Sequence, residues 1–376
     1  MKKAVLIPDS FKGTLSSKEI CNIIEKSINH HFPKCSVVSI PVADGGEGSV
    51  DCFLESLGGN KVYESVKNPY FEDMKSYYGL LSGEETAVIE MASCAGLPLV
   101  EDRKNVGKTT TYGVGQLILS AAKKGCKKII VGLGGSATND GGCGAAAAVG
   151  VKFFDECGKE FIPVGDSLKS IRKIDMSHRS ELLKNIEIIT MCDIDNPMYG
   201  ETGAAYIFGP QKGADDKKVK ELDEGLRNLS EVINKDLEMD LKDVPGGGAA
   251  GAMGAGMIAF FDSRLQMGIE TVLDTVHFDD VISDADMIFT GEGNFDTQSL
   301  RGKVVIGVAR RAKKINVPVT VISGGTEDIK EAFKMGVTSV FTINRLPHDF
   351  QISRYKSKEN LEATIDNVLR LIKSIK

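Results

Sequence analysis

The 376-residue chain has no tryptophan, eight tyrosines and five histidines. With no Trp and few Tyr near its loops, it offers a flavin ring poor stacking partners. The eight cysteines, at 21, 35, 52, 94, 126, 143, 157 and 192, form no CxxC pair, and no HExxH spacing occurs. That excludes the familiar zinc patterns and leaves reduced structural thiols, which suit the cytosol. Positive charge is not in excess: the formal net charge is −6, so there is no electrostatic footprint for nucleic acid. A small metabolite fits better. Long apolar runs are also missing. The longest, Gly246 to Phe261, is crowded with glycine and falls short of a membrane span. The opening MKKAVLIPD imitates a signal peptide, but Asp9 stops its apolar run at Pro8. The expectation is a soluble cytoplasmic protein with no membrane and no nucleic-acid partner. No heptads appear, and the oligomeric state stays open.

What the chain does have is 41 glycines, in a composition of 42% hydrophobic and 26% charged residues that is ordinary for a globular protein. Short Val- and Ile-rich runs recur at 4–7, 36–40, 87–91, 128–131, 187–191, 287–290, 318–322 and 339–342. They read as strands. Helical patterns lie between most of them: Ser17 to Phe32 behind a Ser16 or Ser17 cap, Gly113 to Lys124, Gly302 to Asn316, and 360–376. This alternation predicts an α/β fold built on a parallel sheet covered on both faces. Residues 62–81 break the rhythm with Tyr63, Tyr70, Phe71, Tyr77 and Tyr78 around an Asn68-Pro69 turn, and look like antiparallel strands. A second, mixed α/β domain spanning 66–267 is therefore expected as an insertion. Residues 1–65 and 268–376 would form the first, three-layer domain of flavodoxin or Rossmann type. The active site is expected in the cleft between the two.

Ligands in open parallel sheets bind beyond the carboxyl ends of the strands, so the loops there carry the functional reading. Four of them combine Gly with Asp, 8–14, 44–48, 132–142 and 291–296, and a fifth, 192–197, carries Asp193 and Asp195 without Gly. In the third, residues without Cβ let successive backbone N–H groups converge on an anion, and Ser136 and Thr138 add hydroxyls. The reading is a phosphate cradle of Gly134, Gly135, Ser136, Thr138, Asn139 and Asp140, opening a helix near Cys143. It is neither GxGxxG nor a Walker loop. Gly107-Lys108-Thr109 imitates the end of a Walker loop but lacks the earlier glycine. Thr109 to Thr111 would line a site or cap a helix.

The complementary carboxylates are Asp193, Asp195 and Asp296, since phosphoryl transfer needs Mg²⁺ held by one or two carboxylates and another to accept a proton. Lys12, Lys212 and Lys303 are candidates for stabilising the transferring charge. The residues alone lead to a phosphotransferase or phosphate-binding α/β enzyme. A flavodoxin-like FMN protein and a non-catalytic sugar-acid binding protein remain as alternatives.

Together these loops resemble the bacterial-type glycerate kinase family over the whole chain. The resemblance rests on PDSFKG at 8–13, ADGGEG at 43–48, IEMA at 89–92, TTYG at 110–113 and GGSATNDGG at 134–142. It continues with CDIDNP at 192–197, FGPQKGA at 208–214, and GEG at 291–293 followed by Asp296, Gln298, Gly302 and Lys303. It implies ATP- and Mg²⁺-dependent phosphorylation of D-glycerate to 2-phosphoglycerate, with 3-phosphoglycerate as the regiochemical alternative. Under that reading Asp193, Lys12 and Asp296 are catalytic and the glycine loop holds ATP phosphates. Asp9, Ser10, Asp44, Gly45, Gly46, Lys212 and Asn294 line the substrate, and Asp193 and Asp195 hold the metal. One departure is Asn294-Phe295, where members often carry Arg and an aliphatic residue.

Overall fold

The computed structural model describes residues 1–42, 46–83, 85–327, 329–344 and 350–375, leaving aside the side chains at 301, 350 and 352. Asp44 and Gly45 lie outside the described residues. The strands in chain order are β1 (Lys3–Leu6), β2 (Ser36–Ser39), β3 (Gly59–Lys67), β4 (Asp73–Leu81), β5 (Thr86–Glu90), β6 (Lys128–Gly132) and β7 (Lys152–Phe154). They continue as β8 (Glu160–Phe161), β9 (Lys173–Asp175), β10 (Glu187–Met191), β11 (Arg264–Gln266), β12 (Met287–Phe295), β13 (Val319–Thr326) and β14 (Val337–Thr342). Contacts divide the chain into two units, one of Met1–Asp44, Glu55–Leu57 and Met267–Lys376, the other of Gly45–Leu54 and Gly58–Gln266. Strand β3 belongs whole to the second unit, whereas the sequence boundary at 65/66 would cut it.

The first unit holds a five-stranded sheet in the order β14-β13-β12-β1-β2, every pairing parallel. Numbered within the unit this is the 2-1-3-4-5 order of flavodoxin-like sheets, whose switch point lies where the chain reverses direction, here between β1 and β12. Helix Ser17–His31 starts as the sequence predicts. Ser16 forms a capping box with Glu19, and Ile20, Ile24 and Ile28 are buried in one cluster with Leu361, Ile365 and Leu369 of helix Ser357–Ile375.

The second unit holds a six-stranded sheet, β11-β10-β6-β5-β4-β3. Strands β5, β6, β10 and β11 run parallel, and the hairpin β3–β4 adds antiparallel strands at one edge. A small sheet, β8-β7-β9, and the 22-residue helix Asp216–Leu237 have no counterpart among the sequence expectations. The helix is capped by Asp215, whose side chain accepts from Lys218 N at 2.7 Å, and it buries Leu222, Leu226 and Leu229.

One expectation needs correcting. Gly291 to Phe295 are strand, not loop. The parallel β12–β13 ladder continues to Asn294↔Gly325 and Phe295↔Thr326. Gly291 suits this close pairing, because a Cβ there would sit 1.9 Å from Ile322 O.

Candidate active site

In the second unit the strand register brings three carboxyl ends side by side: Glu90 of β5 and Met191 of β10 both pair with Gly132 of β6. The glycine loop leaves from the central one. Its organiser is Asp140, which is fully buried. One carboxylate oxygen accepts from Thr111 N (2.7 Å), Thr111 Oγ1 (2.9 Å) and Gly144 N (3.2 Å), and the other from Gly142 N (3.1 Å). Burial raises its pKa and these bonds oppose the rise. Asp140 therefore takes up the N–H groups of Gly142 and Gly144 at the start of the six-residue helix Cys143–Ala148. The neighbouring threonines serve the same loop. Thr109 Oγ1 donates to Ala137 O at 2.8 Å, and Thr111 Oγ1 accepts from Ala145 N at 2.9 Å.

Lys212, buried in the short turn Pro210–Lys212, donates from Nζ to Ser136 Oγ and to Thr138 O, each at 2.8 Å. Burial lowers its pKa to about 7, against the raising influence of Asp140. Beside it, Thr138 Oγ1 and Asn139 Nδ2 are buried with no hydrogen-bond partner. Each such group costs about 1–3 kcal/mol unless something meets it. Ser136 is buried too, so the loop gathers polar groups of matched reach: two hydroxyls, an amide and an ammonium.

The glycine-rich stretch after Pro245 tightens this arrangement. Gly248 N donates to Asn196 O at 2.9 Å, and Gly141 N donates to Gly251 O at 3.0 Å, so it ties the loop after β10 to the loop after β6. Ala250, Gly251 and Ala252 are consecutive left-handed residues, with φ of +54°, +69° and +65°. Left-handed alanines are strained, and such outliers concentrate at functional sites. The middle residue must be glycine, since a Cβ there would lie 2.1 Å from Thr138 O. Asp193 and Asp195 are exposed on the loop after β10. Gly46 accepts from Ser49 Oγ at 2.8 Å at the start of helix Ser49–Leu57.

In the first unit the switch point carries a second polar cluster. Asp9 N donates to Gly291 O at 2.8 Å, anchoring the loop after β1 against β12. Ser10 N donates to Asp9 Oδ1 at 2.6 Å, and Lys12 is exposed on the tight turn Phe11 to Leu15. A Cβ on Gly293 would come within 3.3 Å of Lys12 N, so this turn passes directly over β12. Asp296 has both oxygens occupied: Oδ1 accepts from Gln298 N (2.8 Å) and Ser299 N (3.4 Å), and Oδ2 from Asn294 Nδ2 (2.9 Å). It thus holds the turn Ser299–Arg301.

The sequence reading singled out neither Glu90 nor Glu292. Glu90, buried, accepts from Val50 N at 2.5 Å and from Gly48 N, and so fixes the segment after Gly46. Burial raises its pKa. Glu292 is 6% exposed, pairs in register with Ser323 of β13, and has an Oε1 with no partner. The Ser323 hydroxyl is buried and partnerless as well. Burial pushes the Glu292 pKa up to about 7; Ser299 and Lys303 oppose this, and Asp9 and Asp296 add to it. The available signal was a charged residue inside an apolar strand run.

The model of the glycerate kinase family matches residues 4–373 of the chain. The chain belongs to the glycerate kinase family. It is 42% identical to a glycerate kinase of Bacillus cereus over 368 residues, 97% of each chain. To the glycerate 2-kinase of Escherichia coli K12 it is 43% identical over 343 residues, 91% of this chain and 90% of the relative. A solved structure assigned as glycerate kinase 2, from Salmonella typhimurium LT2, superposes with a TM-score of 0.89 at 38% identity, covering 99% of this chain and 98% of the other. Against this family background, the expected site residues fall into two groups. Gly46, Gly134 to Asp140, Lys212, Asp193 and Asp195 belong to the second unit, and Asp9, Ser10, Lys12, Asn294 and Asp296 to the first.

Proposed function

We propose that the chain is a glycerate 2-kinase, transferring the γ-phosphoryl group of ATP to the 2-hydroxyl of D-glycerate, in the cytoplasm. The observation that carries this reading is the buried loop where Lys212, Ser136, Thr138 and Asn139 converge with two polar groups unpartnered. It suits the oxygens of a phosphoryl chain, which accept from many donors at once. On this reading Gly134, Gly135, Ser136, Thr138 and Asn139 line the nucleotide's phosphates, with Lys212 as the charge. Asp140 acts through the loop that it holds.

Among the described residues no three His, Cys, Asp or Glu side chains cluster as a metal cage. Mg²⁺ in such enzymes is bound by one or two carboxylates plus substrate phosphates, and the exposed Asp193 and Asp195 fit that modest share. Bound there, it would neutralise polyphosphate charge. Asp9, Ser10, Lys12 and Asn294 bind and orient glycerate, and Asp296 shapes the turn beside them. No helix among the described residues is long and apolar enough to cross a membrane.

The test is ADP release followed by a coupled assay. Release is expected only when ATP, Mg²⁺ and D-glycerate are all present. Bound ATP with no glycerate-dependent release would point instead to a binding protein.

A further inference from the structure

We infer that Glu292 is the proton acceptor for the glycerate hydroxyl. This rests on the glycerate kinase reading and assigns it a group outside the residues named so far as catalytic. Three observations converge on it. Glu292 lies on β12 at the switch point of the parallel sheet, where flavodoxin-like units bind their ligands. Its Oε1 is buried and partnerless, and so is the hydroxyl of Ser323, its register neighbour on the same sheet face. Other carboxylates named for the site already accept hydrogen bonds: Asp140 four, Asp296 three, Asp9 one from Ser10 N, and Glu90 those from the backbone at Val50 and Gly48. Asp193 and Asp195 are exposed and suited to the metal.

A buried carboxylate oxygen with nothing to accept from is costly. A hydroxyl donor arriving in the substrate would meet that need. In the step, the glycerate hydroxyl oxygen attacks the γ-phosphorus, the bond from that phosphorus to the β,γ-bridging oxygen breaks, and ADP leaves with the bond's electron pair. The hydroxyl proton passes to Glu292 and then to solvent as the product departs. The groups facing Glu292 are Asp9 from the loop after β1, Asp296 and Ser299 from the turn after β12, and Lys303. Burial and the two aspartates place its titration near pH 7, where a general base works best.

The experiment compares wild type with Glu292→Gln at saturating MgATP, following kcat and kcat/KM for D-glycerate against pH. Wild-type kcat/KM is expected to fall as pH drops through about 7, because the protonated carboxyl cannot accept. Glu292→Gln is expected to lower kcat by about 10²–10⁴-fold, to lose that acidic limb, and to leave the KM for ATP within about twofold. A loss under about tenfold, or a limb retained in the residual activity, overturns the assignment. Should the Gln variant not fold, Glu292→Asp and the wild-type profile decide. A wild-type profile flat between about pH 6 and pH 8 contradicts a base of this kind. Failure of the kinase reading itself would look different, with no glycerate-dependent turnover in wild type.

Discussion

Lys212→Met is expected to lower kcat/KM by about 10²–10³-fold, the usual cost of removing one preorganised donor from a phosphoryl or oxyanion site. The thermal midpoint should stay within a few degrees, and this pairing of results separates a functional lysine from a structural one. Burial lowers the pKa of Lys212 to about 7, so the native state resists the proton that the unfolded chain holds up to its ordinary value of 10.5. The penalty on stability is thus full below about pH 7 and fades as pH rises from there toward 10.5. Methionine removes that penalty and leaves Ser136 Oγ and Thr138 O without their donor; the two effects oppose each other. Bound phosphate oxygens favour the ammonium, so ATP binding at alkaline pH should take up a proton in wild type and not in Lys212→Met. Calorimetry in buffers of different ionisation enthalpy reads this directly. A midpoint fall of tens of degrees with ATP affinity unchanged would make Lys212 a structural residue only.

Asp140→Ala should do the reverse, damaging the fold first. It leaves the N–H groups of Thr111, Gly142 and Gly144 and the Thr111 hydroxyl without their acceptor, all in a buried loop. Removing one partner of a buried, hydrogen-bonded charge typically costs about 3–5 kcal/mol. In a unit of this size that corresponds to a midpoint lower by about 10 °C. Activity should fall with it, because Ser136, Thr138 and Asn139 take their places from the same loop. Asp140→Asn keeps part of the acceptor set and should lie between the two. If Asp140→Ala melts with wild type and loses only ATP affinity, Asp140 contacts the nucleotide rather than shaping the loop.

The strands and their parallel arrangement were legible because continuous Val/Ile runs such as 128–131 and 187–191 read directly as buried strands. The glycine loop was legible as well, since Gly, Ser, Thr and Asn clustered behind a strand have few other uses. What each residue does there was not. Asp140 looked like a ligand contact, but two of its four bonds are to Thr111, distant in sequence, which no local spacing encodes. The helix Asp216–Leu237 has a legible helical period in its buried Val219, Leu222, Leu226, Leu229 and Ile233. Glu292 was hidden by being part of the GEG motif: the glycines looked like a loop, yet pairing with β13 makes them strand and turns the glutamate into the core. The role of Gly246 to Ala252 also depended on partners far away in sequence, Asn196 and Gly141.

The proposed reaction transfers the γ-phosphoryl group of ATP to the 2-hydroxyl of D-glycerate. The direct measurement is to incubate the protein with ATP, Mg²⁺ and D-glycerate, and then add enolase with and without a phosphoglycerate mutase. Enolase takes only the 2-isomer, so phosphoenolpyruvate should form at once without the mutase. Phosphoenolpyruvate appearing only when the mutase is present would mean that the 3-hydroxyl is phosphorylated and would contradict the claim.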